Sequence, residues 1–119
     1  MTEFSLLVTA GPLGPGALTA LRTARAIQAS SHSSLYRLFF YGDGVLLANR
    51  YLHEAGPAAD TARAWQDWVA AERPPATVCV GAAQKRGLIS DNLADGFTLA
   101  GLGDWVDALG QGDRVVHFG

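Results

Sequence analysis

A compact β-forming run leads directly into a helix-forming run in the stretch Thr77-Val78-Cys79-Val80-Gly81-Ala82-Ala83-Gln84-Lys85-Arg86-Gly87. The first four residues read as a strand buried on both faces, and Pro74-Pro75 separates them from the preceding segment. Gly87 stands where a short helix would have its C′ residue. A strand that opens into a helix in this way is typical of a βα unit in a parallel sheet.

The same alternation extends outward from this stretch in both directions. Compact apolar runs predict strands over residues 4–9, 35–41, 77–80 and 114–118, with a weak strand or turn over 97–99. Amphipathic or alanine-rich runs predict helices over residues 17–29, 60–72, 81–86 and 102–109, with Asp60 as an N-cap and a short helical turn over 45–50. These elements predict βαβ units, which build a parallel sheet with helices on both faces.

For a chain of 119 residues we predict one domain over residues 1–119, an α/β fold with a flavodoxin-like, mostly parallel five-stranded sheet in the order 2-1-3-4-5. In that order the first and third strands are neighbours. The crevice at their carboxyl ends would then lie between the Gly11–Gly16 loop and the turn after Cys79.

Composition excludes several classes of protein. With 49% hydrophobic and 17% charged residues, the chain is not of the disordered type. A formal net charge of −2, with no run of like charge, argues against direct binding of nucleic acid. The apolar runs fall short of the roughly 18 residues that indicate a membrane span. We therefore expect a cytoplasmic domain with no membrane association.

Cys79, the single cysteine, is the main candidate for chemistry. A thiol at a strand end just before a helix meets free N–H groups and the positive end of the helix dipole, which favour the nucleophilic thiolate. Gly81 would let a second sulfur approach the backbone closely, and Lys85 and Arg86 would add positive potential or contact an acidic partner. The alternative is that Cys79 is a small core residue, and the residues alone leave both interpretations open.

The remaining features do not indicate a second chemistry. The spacing of His32, His53 and His117 suggests no catalytic partner or metal site, and we interpret each as structural or solvated. The Gly11–Gly16 loop matches neither a Walker sequence nor G-x-G-x-x-G and is poor in hydroxyls, so we expect no nucleotide, flavin or other cofactor. Trp65 is expected in the core and Trp68 partly exposed, although both could serve an interface in an oligomer.

Several motifs, in this order and spacing, resemble the DsrE/TusD family of small sulfur-relay proteins. They are residues 7–12 (LVTAGP), 39–45 (FFYGDGV) with 48–49 (AN), 78–83 (VCVGAA) with 86–87 (RG), 92–103 (NLADGFTLAGLG) and 113–118 (DRVVHF). The resemblance covers nearly the whole chain and is greatest to the TusD branch, which carries the active cysteine. The chain departs from the family pattern between Gly87 and Asn92, where it is shorter.

This resemblance implies a three-layer αβα sandwich (a DsrEFH-like fold) and a sulfurtransferase in which Cys79 accepts sulfane sulfur as a persulfide. It implies assembly with paralogous TusB/TusC-like (DsrH/DsrF-like) subunits as a heterohexamer, a TusA-like sulfur donor and a TusE/DsrC-like acceptor. In the TusD branch the sulfur is destined for 2-thiouridine at the tRNA wobble position, and in the DsrE branch for dissimilatory sulfur oxidation. A non-catalytic interaction or cofactor-binding module of flavodoxin type remains the alternative.

Overall fold

The computed structural model describes residues 1–52 and 56–119, and at residues 57 and 58 the backbone alone. The strands are β1 (Thr2–Val8), β2 (Ser33–Phe40), β3 (Ala76–Cys79), β4 (Thr98–Ala100) and β5 (Arg114–Phe118). The α-helices are α1 (Pro15–Ala29), α2 (Pro57–Glu72), α3 (Val80–Gln84) and α4 (Leu102–Gln111), and 3-10 helices span Gly42–Ala48 and Ser90–Asn92. Every strand and helix predicted from the sequence is therefore present, and His53 lies outside the described residues.

The helix starts differ from the prediction because of proline. α1 begins at Pro15 and α2 at Pro57, each after a glycine N-cap, so both helices start before the predicted residue. Proline suits the first helical position because its fixed φ is already helical and its missing N–H would have no partner there. Asp60 consequently lies in the first turn of α2, where the prediction made it the N-cap.

The five strands form one sheet in the order β4-β3-β2-β1-β5, and every pairing is parallel. The three-layer α/β class is confirmed, but the predicted order 2-1-3-4-5 is wrong because β2 lies between β1 and β3. Crossovers between parallel strands are right-handed, so two successive steps in one direction put their helices on one face of the sheet. α1 and α2 do share a face, since the Trp65 indole N–H donates to the Ala17 carbonyl at 2.9 Å.

Successive residues of β2 point to opposite faces of the sheet, so Phe39 and Phe40 pack against different helical layers. Phe40 meets Trp65 of α2 edge-to-face, with ring centroids 5.0 Å apart, on the face covered by α1 and α2. Phe39 stacks on Trp105 of α4 at 5.8 Å on the opposite face. Trp65 is fully buried as predicted, whereas Trp68 is only 9% exposed and lies deeper than expected.

One layer is thinner than the other. α4 alone covers the second face, where Arg37 of β2 forms an ion pair with Asp104 at 3.3 Å. Along α4 only Ala108 is buried, and Leu102, Val106 and Leu109 are exposed. In the described part of the chain no helix combines the length and the apolar character needed to cross a membrane.

Candidate functional site

A cavity of about 370 Å³ opens at the carboxyl edge of the sheet, where β2 and β3 end and α4 begins. Its lining residues are Tyr41, Gly42, Cys79, Gly81, Ala82, Lys85, Arg86 and Leu102. In parallel sheets this edge is where functional groups gather, because successive crossovers present their loops there. The cavity therefore brings together the four residues that the sequence singled out for this site: Cys79, Gly81, Lys85 and Arg86.

Cys79 is among the least exposed residues that line this cavity. It is a free cysteine, 4% exposed, at the last position of β3 and paired in register with Ala100 of β4. Cys79 therefore belongs to the buried core cluster and also lines the cavity, so one side of the residue borders open space. With 4% of the residue exposed, only a narrow group that enters the cavity could reach Cys79, and a flat protein surface could not.

The chain after Cys79 keeps the thiol at the start of a tight turn. α3 has five residues, and its end is closed by bonds from the Gly87 amide to the Gln84 carbonyl and from the Leu88 amide to the Ala83 carbonyl. Gly87 has a φ of +73°, and this bonding pattern confirms it as the C′ residue of a Schellman motif. Since α3 is barely longer than one turn, its dipole contributes less at Cys79 than the sequence argument assumed.

The cavity instead takes its charge from side chains. The Arg86 guanidinium donates from Nε to the Asp43 carboxylate at 3.1 Å and from Nη1 to the Ala82 carbonyl at 3.0 Å. These bonds tie the end of α3 to the 3-10 helix that follows β2. Lys85 also lines the cavity, and within the described residues its ammonium group has no hydrogen bond or ion pair.

The predicted crevice between the first and third strands is not formed. β2 separates these strands, and the Gly11–Gly16 loop does not line the cavity of Cys79. The loop packs instead beside Asp43, whose Cβ would lie 3.2 Å from a Cβ added at Gly11. The loop after β1 thus supports the residue that holds Arg86.

The histidines lie apart from the thiol where the structure describes them. His117 bonds to the Thr9 hydroxyl at 2.7 Å, and His32 is exposed at the start of β2. Neither lines the cavity, which agrees with their interpretation as structural or solvated residues.

Tyr41, Asp43 and Leu102 are among the residues of this site that sequence reasoning missed. Tyr41 and Leu102 line the cavity, and Asp43 pairs with Arg86 behind it. The signal was present in part, because Tyr41 and Asp43 directly follow β2 and Leu102 follows β4. These residues could be assigned to the site only once the strand order was known, because that order makes β2 and β4 the neighbours of β3.

Gly81 leaves room beside the thiol, and filling that room provides a test of the cavity. No atom lies within 4 Å of a Cβ added at this residue. We expect Gly81→Ala to keep or slightly raise stability, since alanine favours a helix by about 1 kcal/mol over glycine. The added methyl group narrows the cavity, so alkylation of Cys79 by iodoacetamide should slow about two- to tenfold.

The matched control for this variant is Gly103→Ala, because Gly103 is also an exposed helical glycine with open space around its Cβ position. Iodoacetamide should alkylate Cys79 in Gly103→Ala at the rate of the unaltered protein. Equal rates in all three proteins, followed by mass spectrometry, would show that Gly81 does not limit access to the thiol.

The fold and cavity define a small three-layer α/β protein with one cysteine at the carboxyl edge of a parallel sheet. The chain belongs to the DsrE/DsrF-like family, whose family model matches residues 3–118. The resemblance inferred from the motifs is thereby confirmed over nearly the whole chain.

Curated relatives and solved structures agree with this assignment. The chain is 38% identical over 128 aligned residues to sulfurtransferase TusD of Yersinia pestis (strain Pestoides F), covering 98% of this chain and 97% of the relative. TusD of Yersinia pseudotuberculosis (serotype O:3) matches with the same identity and coverage. This similarity identifies the chain as a sulfurtransferase of a sulfur relay. Such a relay works with partner proteins.

Two solved structures share the fold. The YchN protein from E. coli superposes with a TM-score of 0.78 at 24% identity, covering 99% of this chain and 100% of that one. A protein of unknown function from Methanobacterium thermoautotrophicum superposes with a TM-score of 0.67 at 12% identity, covering 98% and 99%. At these identities the likeness concerns the fold alone.

Proposed function

We propose that Cys79 is the sulfur carrier of this sulfurtransferase and holds the transferred atom as a persulfide. The observation that carries the proposal is that the single thiol of the chain lines an open, cation-bearing cavity at the carboxyl edge of the sheet. A thiol in a sealed core would have no route to a donor. The chain belongs to a family with sulfurtransferase relatives, which supports the cavity as the route by which sulfur reaches Cys79.

The transfer needs only thiol exchange chemistry. The Cys79 thiolate attacks the outer sulfur of a donor persulfide, the bond between the donor's two sulfurs breaks, and the donor leaves as its thiolate. The Cys79 persulfide then presents its own outer sulfur to the thiolate of an acceptor. That second attack breaks the new S–S bond and restores the Cys79 thiolate, so no external oxidant or reductant is consumed.

The proposed donor is a TusA-like carrier and the proposed acceptor a TusE/DsrC-like protein, with the sulfur used for 2-thiolation of the tRNA wobble uridine. The relatives named TusD favour this branch over dissimilatory sulfur oxidation. The net charge of −2 supports a role that does not contact tRNA directly. A free catalytic thiol suits the reducing cytoplasm, which we propose as the site of action.

We further propose that paralogous TusB/TusC-like subunits cover α4 in a heterohexamer. Leu102, Val106 and Leu109 lie at helical spacing along one exposed stripe of α4. An exposed apolar stripe of this kind is typical of a surface that meets another protein. Because Leu102 also lines the cavity, a subunit bound at the stripe would border the cavity without filling it.

Sulfur loading tests the proposal directly. The protein is incubated with a cysteine desulfurase, L-cysteine and a TusA-type carrier, then digested without reductant. We expect the peptide that contains Cys79 to gain one sulfur atom, about 32 Da, as persulfidation requires. Dithiothreitol should remove the added mass. An unmodified Cys79 peptide beside a fully loaded carrier would refute the proposal.

A further inference from the structure

The two adjacent cations of the cavity have different environments. Arg86 is held by Asp43 and by the Ala82 carbonyl, and its charge is paired with that of Asp43 within the chain. Lys85 is exposed, lines the same cavity, and in the part of the chain that the structure describes it has no side-chain partner. Arg86 is thus a fixed part of the cavity wall, whereas the Lys85 ammonium group is available to bind a group that enters the cavity.

The charge of the cavity is opposite in sign to that of the whole protein. The chain carries a formal net charge of −2, yet the ionic groups at the cavity are Lys85, Arg86 and, behind the wall, Asp43. Asp43 and Arg86 offset each other, which leaves the positive charge of Lys85 at the cavity that Cys79 also lines. With a net charge of −2 the whole chain does not attract anions over a long range, so we assign any preference for an anion at this cavity to Lys85 at short range.

The size of the cavity limits what Lys85 can meet. Cys79 is 4% exposed within a space of about 370 Å³, so a partner must reach its sulfur with an extended segment of a few residues. Such a segment brings the groups next to its own cysteine close to the wall that holds Lys85. A carboxylate is the protein group that complements an unpaired ammonium.

We propose that Lys85 is a specificity-determining residue that binds a carboxylate next to the reactive cysteine of the segment that exchanges sulfur with Cys79. The partner is therefore a protein with an acidic, extended, cysteine-containing segment. This inference rests on the proposed function, in which Cys79 exchanges sulfur with another protein. It adds to that function the chemistry by which the segment is chosen.

Two synthetic peptides test the inference: Gly-Cys-Asp-Gly and Gly-Cys-Asn-Gly, each blocked at both ends and activated as a mixed disulfide with thiopyridine. The Cys79 thiolate attacks the peptide sulfur, the S–S bond breaks, and pyridinethione leaves and is read by absorbance. We expect the unaltered protein to react about three- to tenfold faster with the acidic peptide, as for one charge pair at a partly exposed site. Raising the ionic strength from about 0.01 to 1 M should remove the preference.

Variants assign the preference to Lys85. Lys85→Gln should bring the ratio of the two rates to about one, and Lys85→Glu should bring it below one. Arg22→Gln is the matched control, because Arg22 is an exposed cation on α1 that does not line the cavity. It should keep the full preference. Circular dichroism on each variant shows that the fold is retained.

The outcomes separate this inference from the proposed function. A protein that takes up sulfur on Cys79 but reacts equally with both peptides overturns the role of Lys85 alone. A preference that survives in Lys85→Gln overturns it as well. A thiol that prefers the acidic peptide but never takes up sulfur overturns the proposed function, and leaves Lys85 as a determinant of disulfide exchange. A thiol that reacts with neither peptide and takes up no sulfur overturns both.

Discussion

Cys79→Ser is expected to reduce sulfur transfer from donor to acceptor by at least about 1,000-fold, because a serine hydroxyl is no nucleophile toward sulfane sulfur at neutral pH and cannot hold a persulfide. The chain has no second cysteine to take over the role. The measurement is the rate at which labelled sulfur passes from a loaded TusA-type carrier to a TusE-type acceptor in the presence of each protein.

The same variant should fold normally. Oxygen is smaller than sulfur, and Cys79 lines an open cavity, so a serine there can be hydrated instead of being left without a partner. We expect its stability to change by about 1 kcal/mol or less. Transfer by a folded Cys79→Ser protein at the rate of the unaltered chain would rule out Cys79 as the carrier. Loss of transfer with an unchanged melting temperature is the expected result.

Trp65→Ala is expected to have the largest effect on stability, a loss of about 3 to 5 kcal/mol. Trp65 is fully buried, its indole N–H bonds to the Ala17 carbonyl of α1, and its ring packs against Phe40 and Trp68. Truncation leaves a cavity between α1, α2 and the sheet. The measurement is the urea midpoint, with the slope of the transition checked for two-state behaviour.

A second substitution at this residue separates packing from hydrogen bonding. Trp65→Phe keeps an aromatic ring and removes the N–H donor, so it should cost about 1 to 2 kcal/mol. Arg22→Gln, on the exposed side of α1, should stay within about 0.5 kcal/mol of the unaltered protein. If Trp65→Ala unfolded at the same urea concentration as the unaltered protein, Trp65 would not be the main contact between α1 and α2.

The elements of this fold could be predicted from the sequence, but their arrangement could not. Compact apolar runs and proline or glycine breaks are local signals, and they identified all five strands. Strand order depends on which face of the sheet each helix covers. Contacts such as that of Trp65 with Ala17, 48 positions apart, accompany that choice, and no local pattern encodes such a contact. The flavodoxin-like order was therefore the wrong choice among topologies with the same elements.

The site was predictable to the same extent. Cys79 and its neighbours Gly81, Lys85 and Arg86 were identified because the strand and the turn that hold them are adjacent in the sequence. Asp43, 43 positions from Arg86, was not identified because its partner became known only once β2 was seen beside β3. The sequence also could not separate Lys85 from Arg86, since that difference arises from the contact with Asp43.

The order of the strands also determines when the thiol becomes protected during synthesis. The cavity is built from residues between Tyr41 and Leu102, so its far wall does not exist until β4 has paired with β3 and α4 has formed. Until then a growing chain exposes an unshielded sulfur to every oxidant around it, because non-local pairings of this kind form late. Air oxidation should therefore inactivate this protein far faster during refolding from urea than after folding is complete.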